Sequence, residues 1–236
     1  MKKFMIAVLI AFALVLSSDV AHAEPVFWVR CEPTITEANI DPIVAPGGTS
    51  SHSHVFFGTR VRSTDTGDSL RDRGRTNCSV PADFSGYWVP TVRDAEGNLL
   101  TPDDVLVYYR KASPGPTVPF PQDFGVVSTH VFYSCGKGTT LSTEFRFCPA
   151  PTSPRIIVIV RPMEGDPNFP EVRIAVRWTS YEDVDASTWV VSSDSSGALR
   201  HGDFLNGWTR RDLRHIIEKC INVVSGACGR VDESDF

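Results

Sequence analysis

The segment "EVRIAVRW" (residues 171–178) alternates without a break, with Val172, Ile174, Val176 and Trp178 on one side and Arg173 and Arg177 on the other. Successive side chains of an extended chain point to opposite faces. The pattern therefore predicts a half-buried antiparallel strand, one face in a core and the other in water. Just upstream, "RIIVIV" (155–160) is apolar on both faces and predicts a central strand. Further out, "VFWVRC" (26–31), "SGYWVPTV" (85–92), "DVLVYYRK" (104–111), "GVVSTHVFYSC" (125–135) and "STWVVSS" (187–193) are rich in β-branched and aromatic residues and are bounded by turn formers. Many short strands with few helices predict a mainly β, single-domain, antiparallel β-sandwich-like fold with long loops.

Three stretches interrupt this rhythm and read as irregular: 31–50, 59–77 and 110–125. Loops of that length in a compact domain are commonly functional. The middle one carries five arginines and three aspartates, which fits either a solvated mixed-charge loop or a lid over an anionic ligand. One helix is signalled, in "WTRRDLRHIIEKC" (208–220). Thr209 can cap it and Asp212 can answer the cap, while Leu213, Ile216, Ile217 and Cys220 form one apolar stripe that leaves His215 outside.

The N-terminus has Lys2 and Lys3, an apolar run from Phe4 to Leu16, and Ala21-His22-Ala23. That order predicts a secretory signal peptide (1–23) cleaved after Ala23, one β-rich domain over 24–236, and a secreted or periplasmic location. The apolar run is too short for a membrane helix, and no transmembrane segment is expected after signal removal. Cleavage takes away two lysines and Asp19, so 23 basic and 28 acidic residues become 21 and 27 and the net charge moves from −5 to −6. A mildly acidic chain of this kind argues against a nucleic-acid partner. All six cysteines lie in the exported part, and their even number predicts three disulfides among 15 formal pairings. The expected pairing is sequential: Cys31–Cys78, Cys135–Cys148 and Cys220–Cys228. The absence of any C-x-x-C speaks against a thiolate zinc site.

The chemistry concentrates in histidines. In "SHSHVFFG" (51–58), His52 and His54 are two apart, so an extended chain aims both at one point. In "HGDFLNGW" (201–208), His201 and Asp203 repeat the spacing around Gly202. If the pairs converge, three imidazoles and a carboxylate could bind a divalent metal ion with open positions or act as a general acid–base set. Against this stands a bland reading, in which His52 bonds a loop carbonyl and Asp203 caps backbone amides. His130 reads as a core residue sharing a face with Ser128 and Phe132. "CGKGTT" (135–140) and "STDTGDS" (63–69) lack the spacing of a phosphate loop or a calcium loop. Cleavage after Ala21 would expose His22 as the terminal ligand of a copper oxygenase, but it places Asp19 where signal peptidase needs a small residue.

Taken together, "DPIVAPGGTSSHSHVFFG" (41–58), "TNC" (76–78) before "SGYWVP" (85–90), and "HGDFLNGW" (201–208) resemble the family called domain of unknown function 1996, found in secreted bacterial and fungal proteins. The resemblance runs from Cys31 to Cys220 and matches Asp41, Pro42, Pro46, Gly47, His52, His54, Tyr87, Trp88, Pro90, His201, Gly202, Asp203 and Trp208 to family motifs. This chain departs from the family in having no histidine in 155–199, where a second His-rich segment is usual, and so looks like a shortened variant.

The resulting expectation is an exported protein acting on extracellular or cell-wall carbohydrate, by hydrolysis. Asp203 would serve as base or metal ligand, His201 and His54 as ligands or proton shuttle, and His52 as orienter, with Asp41 supporting them from behind. Tyr87, Trp88 and Trp208 would contact sugar. The rival is a noncatalytic glycan- or surface-binding module whose histidines are structural. The hydrolytic reading requires the two clusters to approach within about 8 Å, in a pocket lined by Tyr87 or Trp88 under the 59–77 loop.

Overall fold

A computed structural model of the chain describes residues 25–135, 142, 153–161, 167–181, 183–195 (backbone only at 195), 197, 200–223 and 228–231. The expected signal peptide lies outside them. Two sheets face each other, antiparallel throughout except for one parallel edge pair in the larger, between its first and last strands in chain order. The larger has six strands: β1 (Val26–Cys31), β7 (Asp104–Arg110), β9 (Val131–Ser134), β10 (Arg155–Val160), β11 (Glu171–Arg177) and β14 (Gly229–Arg230), in the order β14-β1-β7-β11-β10-β9. The smaller has five: β2 (Pro33–Ala38), β3 (His54–Gly58), β4 (Gly86–Pro90), β8 (Gly125–Ser128) and β13 (Gly202–Leu205), in the order β2-β3-β4-β13-β8. A ribbon of β5 (Val92–Arg93), β6 (Leu99–Leu100) and β12 (Val190–Val191) closes one end.

The alternation of 171–178 works as predicted. Val172, Ile174, Val176 and Trp178 have no exposed area and enter the core, where they join Phe27, Val107 and Tyr109 from the larger sheet and Val55, Phe57, Tyr87 and Phe204 from the smaller. The "RIIVIV" strand is paired on both sides, to β9 and β11. The sheets approach so closely at one point that a Cβ on Gly202 would lie 2.3 Å from Val158 Cγ2. The C-terminal helix α3 (Arg210–Cys220) buries the expected stripe of Leu213, Ile216, Ile217 and Cys220, and leaves His215 exposed. Thr209 Oγ1 accepts from the Asp212 amide at 3.1 Å and donates to the Asp212 carboxylate at 2.6 Å.

Several expectations are corrected. The segment 125–135 is two strands in different sheets, because the chain crosses from one layer to the other between Ser128 and Val131. His130 sits at that crossing and is exposed, so it is no core residue. The 31–50 stretch contains β2. The 59–77 stretch folds around a short helix, α1 (Gly67–Arg73), capped by Thr66. Its arginines serve the fold: Arg73 bonds both oxygens of Asp65 at 2.6 Å, and Arg71 donates to the Gln122 carbonyl at 2.9 Å. Leu70 of this helix closes a second apolar cluster with Phe56, Val61, Trp88 and Leu205. Strand β3 is consequently buried on both faces.

Cys31–Cys78 and Cys220–Cys228 are bonded as expected. Cys135 is also oxidised, and Cys148 lies outside the described residues. Disulfides fit an oxidising compartment. Among the described residues, no helix is long and apolar enough to cross a membrane.

Candidate metal centre

Strand register brings the two histidine clusters together. His54 stands opposite Pro90 across β3 and β4, and Asp203 stands opposite Trp88 across β4 and β13. Continuing that register by two residues puts His201 beside Pro90 as well. His54, Pro90 and His201 thus fall in one row over three strands. Pro90, which the sequence marks only as part of the central strand motif, is placed beside the histidines by this register. Its signal was a proline inside a strand motif, which normally reads as a strand end.

The contacts are direct. His52 Nε2 lies 2.8 Å and His54 Nε2 3.5 Å from His201 Nε2. Each imidazole also has an oxygen at Nδ1. His54 Nδ1–H donates to the Ile40 carbonyl at 3.0 Å, His201 Nδ1–H donates to Asp203 Oδ2 at 2.8 Å, and Ser51 Oγ is 3.1 Å from His52 Nδ1. A carbonyl and a carboxylate can only accept, so Nδ1 carries the proton on His54 and His201, and in the neutral ring the Nε2 lone pair faces inward, free for an ion. With the Ser51 hydroxyl as acceptor, His52 joins them. Three convergent Nε2 lone pairs, each backed by an oxygen at Nδ1, are what a structured metal site requires. Tetrahedral nitrogen ligands about 2.0–2.1 Å from an ion stand roughly 3.3 Å apart, close to the spacings found.

Burial shapes the charges. His52, His54 and His201 are 8%, 0% and 7% exposed, and Asp203 is 0% exposed. Burial and the neighbouring imidazoles of His201 and His52 push His54 down to about 3, and burial with His201 lowers His52 too. Both therefore stay neutral at ordinary pH, as metal ligands must. Burial raises Asp203 to about 7, opposed by His201; burial resists charging His201, yet Asp203 carries it above its ordinary value. The 2.8 Å bond from Nδ1 favours an ionised Asp203 receiving the imidazole proton. Asp203 Oδ1 is buried with no hydrogen-bond partner among the described residues. Asp41, 2% exposed, accepts the amides of Ile43 and Val44 at 2.9 Å and lies in a second cluster with His54 and Asp203.

His52 and His201 open onto a cavity of about 510 Å³ walled by Asp41, Thr49, Ser50, Ser51, Val127 and Thr129 among others. The walls come from the 41–51 loop and the end of β8, with none from the 59–77 segment. That segment only braces the loop, through the Ser63 carbonyl accepting from Gly47 N at 2.7 Å. Tyr87, Trp88 and Trp208 have no exposed area. They do not line this cavity and cannot stack on a sugar, because packing on both faces of β4 encloses Tyr87 and Trp88, and Phe27 and Tyr109 enclose Trp208.

The family model described as Domain of unknown function (DUF1996) matches residues 41–155. Residues 41–155 are similar to that family. The DUF1996 stretch contains Asp41, His52, His54 and Pro90, whereas His201 and Asp203 lie beyond its end and reach the site through β13. No curated protein and no solved structure matches the chain.

Proposed function

We propose that this chain is an exported, metal-dependent hydrolase of extracellular carbohydrate, with His52, His54 and His201 holding one divalent ion at the mouth of the cavity. The observation that carries the reading is the convergence of three inward Nε2 atoms, each braced at Nδ1. An ion on three imidazoles keeps an open position and supplies Lewis acidity together with a bound water of lowered pKa. The chain's own groups do the rest. Asp203 fixes the His201 tautomer, and its unpartnered Oδ1 can accept a proton. Asp41 adds negative charge beside His52. The hydroxyls of Thr49, Ser50, Ser51 and Thr129 offer hydrogen bonds suited to a polyhydroxylated substrate. Export rests on the basic, apolar and Ala-x-Ala order of residues 1–23 together with the disulfides.

Elemental analysis and calorimetry on the purified chain test this. One equivalent of zinc or another divalent transition ion is expected, with a rise in Tm on loading. His52→Ala and His201→Ala should abolish binding, and Asp203→Asn should weaken it about 10–100-fold. Release of reducing ends from cell-wall polysaccharides should disappear with a chelator. A chain that binds no divalent ion, and whose His201→Ala variant keeps the parental Tm, would instead be a noncatalytic module.

A further inference from the structure

The outward face of the six-stranded sheet is as organised as the core and points to a different ligand. Register aligns Trp28, Tyr108 and Arg173 side by side across β1, β7 and β11. All three are half-buried, and the two aromatic rings are 6.4 Å apart. One step along the strands, Arg110 stands opposite Glu171, which also pairs with Arg161 at 3.0 Å. Arg110, Lys111, Arg161, Glu171 and Arg173 line a cavity of about 480 Å³.

Four cations and one carboxylate gather here, in a chain whose net charge is −5. The single carboxylate is engaged by Arg161 at 3.0 Å and faces Arg110 at 3.9 Å. Arg173 and Lys111 have no carboxylate partner among the described residues, and Arg173 Nε is shielded from water without a hydrogen-bond acceptor. A buried guanidinium N–H with nothing to donate to is costly unless a ligand completes it. The planar guanidinium fork matches a planar carboxylate, and aromatic faces beside it match the apolar side of a sugar ring.

We propose that this face is a second site, separate from the histidines, which binds a uronic-acid polysaccharide. One uronate carboxylate meets Arg173 and Lys111 in the cavity, and the chain runs along the row of Tyr108 and Trp28. The binding does not depend on the metal centre.

Affinity electrophoresis of the full chain tests it, in gels containing polygalacturonate, dextran sulfate or neutral xylan. Retardation by polygalacturonate that weakens with added salt is expected. Arg173→Gln and Lys111→Ala should each weaken it about tenfold, as loss of a charged contact does. His201→Ala should leave it unchanged. Lys111 is exposed, so its variant keeps the test valid even if the strand substitution disturbs folding. Absence of retardation by polygalacturonate, equal retardation by xylan, stronger retardation by dextran sulfate, or indifference to Lys111→Ala and Arg173→Gln would each overturn the proposal.

Discussion

Asp83 shows how a buried acid can remain structural. It is 0% exposed and takes the Tyr87 hydroxyl at 2.8 Å and the Ser85 amide at 3.1 Å. Trp208 Nε1 donates to the Tyr109 hydroxyl at 2.9 Å, and Tyr109 lies 2.6 Å from the Tyr87 hydroxyl. Burial pushes Asp83 from 3.8 up to about 6, against the pull of its Ser85 and Tyr87 bonds. Between those values the folded chain holds a proton that the unfolded chain has released. The contribution of Asp83 to stability thus falls as pH rises through that window, by about 3 kcal/mol at 1.36 kcal/mol per unit. Urea unfolding at pH 4 and pH 7 should show this extra loss in the native sequence relative to Asp83→Asn. A difference between the two proteins that does not change with pH would disprove it. No sequence pattern separates such an acid from Asp203; only its neighbours do.

At the scale of elements, the strands and α3 were legible because their periods are local. An alternating segment and an i, i+3, i+4 stripe state which face is buried before any partner is known. Helix α1 was not legible, since its seven residues bury only Gly67 and Leu70. The crossing at His130 was hidden too, because a strand that changes sheet keeps its β-forming composition. The contact between elements that most affects the site is the close approach of Gly202, the first residue of β13, to Val158 of β10. An added methyl 2.3 Å from Val158 Cγ2 must push β13 outward and carry His201 and Asp203 with it. Gly202→Ala should therefore cost about 1–3 kcal/mol of stability and also lower metal affinity. Unchanged affinity by titration calorimetry, in a destabilised variant, would mean that the site does not depend on that packing.

For the whole molecule, the disulfides close loops of unequal length. Cys31–Cys78 spans 47 residues and Cys220–Cys228 spans 8. Chain entropy assigns about 4 kcal/mol to the first and about 2.5 kcal/mol to the second. Paired cysteine-to-alanine variants should rank in that order by urea midpoint. The reverse order would show that local packing, not loop closure, sets their contribution.

The sequence by itself determined the alternating faces, the capped C-terminal helix, the even set of cysteines and the two short His and Asp pairs. Each is a property of neighbouring residues, and local geometry is enough to express it. Only the tertiary structure decided that His52 meets His201 across 149 positions. It also decided that Tyr87, Trp88 and Trp208 are core rather than platform. Those outcomes depend on which strands pair, and in what register. Pairing is a contest between distant segments for the same edge, and no single segment records its result.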